Sequence, residues 1–342
     1  MFCDVNYPAH LSPHTLDKYL EKGWFRMGQS MFTTSFLYFN DVSYNAIWLR
    51  YDLSNYELRK SSKLILKTNA KFKVQINPFT YSPSKERLFS KYRANLPFGI
   101  APTLGALLLE EGQFNIFNSY EVCIYDDKKL VAMGIFDLGD TSAQGIVNFY
   151  DPDYRKYSLG KFVILQKVLY LKSQGFTYFY PGYFVPGYAL FDYKIELLSS
   201  GMSFYEVASE SWKPMTDFMI EKCPLNLIYE KLKILESTTT AKSLKLKTYF
   251  YKFYDVKLFK EYSSYDLISF PYFIILKALE PHKLLILTYD VRLGKYQIII
   301  SCHVFNIQLP KIPNQYNSNF LRVEDIIYEH KSMDAVLDFL NS

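Results

Sequence analysis

The sequence predicts an α/β (α+β) fold built on a mixed sheet, and three observations between Ser119 and Phe184 carry that prediction. "SYEVCIYDDKKLVAMGIFDL" is two apolar runs joined by Asp-Asp-Lys-Lys, the pattern of a β-hairpin. "AQGIVNFYD" alternates as a third strand, with Ile146, Asn148 and Tyr150 on one face and Val147 and Phe149 on the other. Ser158 is then placed to cap a helix that buries Leu159, Phe162, Val163, Leu165, Val168 and Leu169 and closes at Gly175, after which "FTYFYPGYF" returns as a strand. The order is β-β-β-α-β.

The flanking elements follow the same local rules. Ser12 and Pro13 open a short helix through Leu16, Tyr19 and Leu20 that ends near Gly23. "GWFRMGQSMFTTSFLYF" is glycine-punctuated and then β-rich, and "AIWLRYDLSNYEL" reads as a strand. "SSKLILKTNAKFKVQI" is a basic helix or turn leading into a strand, and "YSPSKERLFSKYRANL" a helix capped by Ser82 or Ser84. Beyond residue 215 the periodicity weakens, leaving a hairpin around Leu293-Gly294-Lys295 and a terminal helix at "SMDAVLDFL". The expected division is 1–98 as an N-terminal region with a basic segment, 99–214 as the central α/β domain, and 215–342 as a C-terminal extension.

Composition excludes several classes. No stretch approaches the ~20 consecutive apolar residues of a membrane span, and "MFCDVNYPAHLSPHTLDKYL" has neither a basic nor an apolar signal region, so the chain reads as soluble and cytoplasmic, with no membrane partner. Cys3, Cys123, Cys223 and Cys302 are far apart and form no CxxC, so neither a disulfide framework nor a metal site is indicated, and no cofactor is expected. The formal net charge of +5 is unevenly spread: residues 54–93 hold ten Lys or Arg against two Glu. Arg59, Lys60, Lys63, Lys67 and Lys71 in that run suit a phosphate backbone, or else a solvated surface.

Ser158, Leu159, Gly160 and Lys161 stand where the central helix begins, after a Tyr-Asp-Pro-Asp-Tyr turn. First-turn amides point outward, and a glycine there either lets a ligand approach them or lets the helix lie close on the sheet.

The words of this segment resemble the C-terminal half of the aminoacyl-tRNA–protein transferases, the arginyl and bacterial leucyl transferases of the N-degron pathway. They are Tyr150-Asp151-Pro152, Ser158-Leu159-Gly160, Tyr180-Pro181-Gly182-Tyr183 and Tyr193-Lys194. "LEKGWFRMG" and "RKSSKLILKTN" are similar to two N-terminal motifs, so the resemblance spans about residues 16–198. It implies a mixed sheet of the Gcn5-related acetyltransferase type, which the β-β-β-α-β order fits independently. The departures are specific: the family's paired cysteines are absent from "DVSYNAIWLR", Phe25 and Met27 replace an arginine and a serine, and Tyr188 and Phe191 stand where the family has cysteine and methionine.

The implied reaction moves arginine or leucine from the 3′ ester of a charged tRNA to the N-terminal amine of an acceptor protein. An α-amine with a reference pKa of about 7.7–8.0 needs little activation, so positioning and oxyanion donors suffice. On the resemblance, Tyr150, Asp151 and Tyr183 are the catalytic candidates. Arg26, Ser158, Leu159, Gly160, Lys161, Gly182, Tyr193 and Lys194 are the substrate-binding candidates, with Arg26 and Lys194 placed to meet an acidic N-terminal residue. The basic run would hold the tRNA. The rivals are an acyl-CoA-dependent enzyme, against which "YRKYSLGK" offers a single glycine, and a non-catalytic member of the fold.

Overall fold

The computed structural model describes residues 2–96, 99–110, 112, 114–198, 201–241 and 245–341. In chain order its elements are β1 (Cys3–Asn6), α1 (Pro13–Glu21), β2 (Phe25–Met27), β3 (Ser30–Thr34), β4 (Phe36–Phe39), β5 (Val42–Asn45), β6 (Ile47–Asp52), α2 (Lys60–Thr68), β7 (Lys73–Pro78), α3 (Pro83–Arg93) and α4 (Leu104–Leu109). The central part continues with β8 (Ser119–Asp126), β9 (Lys129–Leu138), β10 (Ser142–Tyr150), α5 (Leu159–Ser173), β11 (Tyr178–Phe184), α6 (Tyr193–Leu197), β12 (Met202–Glu206) and β13 (Ser211–Pro214). The last part holds α7 (Pro224–Ala241), β14 (Thr248–Tyr251), β15 (Tyr272–Glu280), β16 (Lys283–Asp290), β17 (Lys295–Asn306), β18 (Gln315–Tyr316), β19 (Asn319–His330) and α8 (Met333–Asn341).

An eight-stranded sheet in the order β13-β12-β6-β11-β10-β9-β8-β7 organises the first two thirds. Its neighbours are antiparallel except β10 and β11, which are parallel because α5 crosses over between them. This is the mixed sheet expected of the acetyltransferase type. It takes strands from both sides of residue 98; residues 97 and 98 themselves, where the expected division falls, lie outside the described residues.

Alternation along the strands serves two cores. Val122, Ile124, Ala132 and Phe136 meet Leu159, Phe162, Val163 and Val168 of α5 on one face. Cys123, Met133, Ile135 and Phe149 meet Leu88 and Phe89 of α3 and Leu104 and Leu108 of α4 on the other. Phe25, a departure from the family motif, stacks on Trp48 at 3.7 Å in a third cluster with α1 and Tyr180. The second sheet, β18-β14-β15-β16-β17-β19, forms a separate core with α7 and α8 that also takes in Phe2, Cys3 and Phe36.

Local chemistry sets the ends. Ser12 accepts from the Thr15 amide with Pro13 at the first helical position, as its sequence indicates. Ser158 departs from expectation: it sits left-handed at φ 51°, ψ 42° and its side chain makes no cap bond, because the preceding 3-10 turn Pro152–Tyr157 runs straight into α5. Within α5, Leu169 is only half-buried, whereas Leu171 and Lys167 are buried. The expected strict alternation in β10 also fails: a bulge between Gly145 and Val147 turns both Ile146 and Val147 to the α3–α4 side.

Candidate functional site

The parallel pairing of β10 with β11 runs only from Ser142/Tyr178 to Gln144/Tyr180. Two local devices end it. The bulge at Gly145–Val147 bends β10, and in β11 Pro181 carries no amide hydrogen while the register to β6 shifts between Phe179 and Gly182. The strands therefore part, leaving an opening in the pairing between their C-terminal halves, which end at Tyr150 and Phe184.

Leu159, Gly160 and Lys161 supply the amides there. The first intrahelical bond runs from Phe162 N to Ser158 O, so these three amides precede the helical ladder and have no partner within it. A methyl placed on Gly160 would lie 3.7 Å from the Tyr150 ring, an ordinary contact, and near no other side chain or neighbouring element. Gly160 is thus not required for close contact between helix and sheet. Tyr150 in turn meets Tyr92 of α3 at 5.4 Å between ring centroids.

On the other wall Tyr183 is held edge-on by Trp48 and faces Phe191. Gly182 has φ 89°, a conformation glycine adopts readily, and a Cβ there would come within 3.3 Å of Lys194 Nζ. Lys194 donates to the Tyr183 carbonyl at 2.7 Å and lies over the Tyr183 and Phe191 rings. No carboxylate is within ion-pair distance of it among the described residues, and burial among rings pulls its ammonium down to about 7. The Tyr193 hydroxyl is pushed up to about 12, first by burial and then by Tyr92 and Tyr183. Tyr150, Gly160, Gly182, Tyr183, Tyr193 and Lys194 are therefore brought together.

Two other candidates are engaged elsewhere. Arg26 is buried and pairs with Asp137 at 2.9 Å, donates to the Gly28 and Leu108 carbonyls and to Ser119, and lies over Phe117. Its fork ties β2 to β9 and α4, and its burial closes it to an incoming carboxylate. Asp151 is 2% exposed and receives Lys91 at 2.5 Å, Lys129 at 2.9 Å and the Asp153 amide. Burial alone would push its carboxyl up; the two lysines and the amide hold it down at about 2. It orders the turn, and both its oxygens are occupied, which leaves this catalytic candidate no free acceptor for an incoming amine.

Sequence reasoning did not single out Tyr92 or Lys167. Lys167 is fully buried under the bulge, donating to Ile135 O at 2.7 Å and Val147 O at 3.3 Å, and burial brings its ammonium down to about 7. The signal was a lone lysine inside "FVILQKVLYL". Around it Gly134 leaves no room for a Cβ, which would meet Val163, Asn148 and the Lys167 stem at 2.3–2.7 Å.

The basic run lies beside the opening. α2 contacts α5 and exposes Lys60, Lys63, Lys67 and Leu64, the last 64% exposed. Lys71 bonds Tyr157 in the turn before α5 at 2.9 Å, Arg59 donates to the Glu196 carbonyl, and Lys161 pairs with Glu196. Among the described residues no group of His, Cys, Asp and Glu could hold a metal, and no helix is long and apolar enough to cross a membrane.

Comparison with known proteins identifies relatives of the chain. Residues 67–202 match the family described as the C terminus of arginine-tRNA-protein transferase. The aspartate/glutamate leucyltransferase of Leptospira interrogans is 31% identical over 194 residues, covering 55% of this chain and 74% of that protein. The protein of the same description from Campylobacter jejuni is 25% identical over 205 residues, covering 56% and 81%. Solved structures are more distant: a GCN5-related N-acetyltransferase from Kribbella flavida gives a TM-score of 0.26 at 14% identity over 43% of this chain and 49% of that one. L-PGS from Bacillus licheniformis gives 0.32 at 10% identity over 52% of each chain. The matched segment contains β10, α5, β11 and Lys194, and with it the chain belongs to the aminoacyl-tRNA–protein transferase family.

Proposed function

We propose that this chain transfers leucine from charged tRNA to the N-terminal amine of proteins that begin with an acidic residue. The ester would enter the opening between the parted strands, its carbonyl oxygen toward the amides of Leu159, Gly160 and Lys161. The amine nitrogen bonds to the acyl carbon, the bond to the ribose 3′ oxygen breaks, and the proton released by nitrogen ends on that oxygen. Fixed amides aimed at the oxyanion are the kind of donor whose loss costs about 10²–10³ in rate. Tyr150 and Tyr183 line the two walls, and Ser158 fixes the turn.

The observation that carries the acceptor choice is Lys194, a half-buried cation at the opening with no carboxylate partner among the described residues. An incoming Asp or Glu side chain would supply the missing charge. Leucine is favoured over arginine because the nearby carboxylates are already committed, Asp151 to Lys91 and Lys129 and Glu196 to Lys161, while the walls are aromatic. The leucyl activity in the relatives' names agrees with this. The exposed lysines of α2, with Lys71, would hold the acceptor arm.

The test is incubation with separately charged leucyl- and arginyl-tRNA and peptides that start with Asp or Ala, read by mass spectrometry. Leucine added to the Asp peptide is the expected product. Arginine added instead would overturn the choice of donor, and no addition from either tRNA would overturn the reading.

A further inference from the structure

A cavity of about 690 Å³ lies outside the family-matched segment, between the hairpin β4–β5, helix α7 and the edge formed by β14 and β18. That volume is in the range of small-molecule and nucleotide sites. Its walls are aromatic: Tyr38 stacks on Phe250 at 5.0 Å, and Tyr229, 45% exposed, meets Tyr272. Its charged lining is balanced: Lys233 pairs with Glu236 at 2.8 Å and Asp41 accepts from the Tyr38 hydroxyl, while Lys247, exposed and lying over Tyr249, has no carboxylate paired with it among the described residues. Gln315, in the lining, has a buried amide nitrogen with no hydrogen-bond partner among the described residues. Aromatic faces beside the exposed Lys247, with an unsatisfied amide in the lining, match the chemistry of an unpaired nucleotide: a π-face, a phosphate and a base-edge acceptor.

The same hairpin borders the transfer site. Tyr38 turns to the cavity, while Phe39 and Tyr44 meet Tyr188, which meets Phe191 and through it Tyr183. We propose that this cavity binds an unpaired nucleotide of the single-stranded 3′ end of the tRNA, its base against the tyrosines and its phosphate on Lys247. The C-terminal sheet then serves as a second hold on the strand whose ester lies in the opening. The inference rests on the tRNA-dependent reading above.

Tyr229→Ala and Lys247→Glu change exposed side chains, and melting temperature verifies that each variant folds. Binding of labelled tRNA is measured across a salt series, with transfer kinetics on the same samples. Stacking of one base predicts a loss of affinity of roughly tenfold or more for Tyr229→Ala, and Lys247→Glu should lower the salt slope by about 0.7. The KM for charged tRNA should rise in both with kcat unchanged, and a transcript lacking its single-stranded 3′ nucleotides should bind parent and variants alike. Parental affinity and KM in both variants would overturn the cavity while leaving the transferase reading intact. A variant that loses affinity equally for the shortened transcript would refute the 3′-end assignment, weaker peptide binding with parental tRNA binding would assign the cavity to the acceptor, and a parent that binds no tRNA would overturn both readings.

Discussion

Adding one methyl at Gly160 separates chemistry from stability. The new Cβ would lie 3.7 Å from the Tyr150 ring with no other atom outside its own helix closer than 4 Å, so no overpacking penalty applies. Alanine is the better helix former by up to about 1 kcal/mol, which for a chain of this size raises the melting temperature by at most about 2–4 °C. The methyl would nevertheless stand between an ester carbonyl and the first-turn amides. Loss of one such donor corresponds to about 2.7–4 kcal/mol, so transfer by Gly160→Ala should fall by about 10²–10³. Thermal melting and single-turnover transfer on one preparation provide the comparison. Parental transfer in a protein that melts at or above the parental temperature would refute the oxyanion role, and a melting temperature lowered by several degrees would refute the steric premise.

Particular side chains set three further outcomes. Lys194→Met should lose the preference for Asp-starting over Ala-starting peptides in competition assays, whereas Arg26→Lys, which cannot reproduce the buried fork on Asp137 and the Leu108 carbonyl, should lower melting temperature and slow both peptides equally. Lys167 binds fewer protons folded than unfolded between about pH 7 and 10.5, so stability rises with pH across that window; Lys167→Met should flatten the rise in melting temperature measured from pH 7 to 10. Reversing Lys63, Lys67 and Lys71 to Glu should weaken tRNA binding and reduce its salt slope by about 0.9 for each lost duplex contact, and an unchanged slope would remove α2 from the interface.

The central β-β-β-α-β unit was legible because its signals are local: alternation, a four-residue polar turn, a serine and a glycine at the two ends of one helix. Gly160, Gly182, Tyr183 and Lys194 converge in space because short connections hold them on two adjacent strands and the helices beside them. What escaped was long-range. Arg26 and Asp137 are 111 residues apart, and no pattern near either one indicates that they are paired. Asp151 was a catalytic candidate on its motif, and nothing near it in the sequence indicates that Lys91, sixty residues earlier, occupies it. The bulge in β10 lies at a single Gly145, too faint a mark to predict where the strands part. In the last third only the β16–β17 hairpin and α8 could be read, because β15 and β19 carry charged residues toward their exposed ends and β19 reaches β17 across residues 307–318; the tight turn at 281–282 that joins β15 to β16 went unread.

The place of Phe2 and Cys3 has a consequence for how the chain is made. Both lie in the core of the second sheet with Leu267, Ile268, Phe320 and Leu321, and the Phe2 amide reaches the Ser269 hydroxyl at 3.3 Å. At a synthesis rate of about 5–20 residues per second, this apolar segment waits on the order of tens of seconds for partners that lie more than 260 residues later. The eight-stranded sheet can assemble in the meantime, because its final strand ends at Pro214. The sheet that carries β10 and β11 is thus complete before β1 has a core to enter. A chain interrupted after residue 214 would retain that sheet while exposing Phe2, Cys3 and Phe36, a greasy tag by which quality control could recognise an unfinished copy.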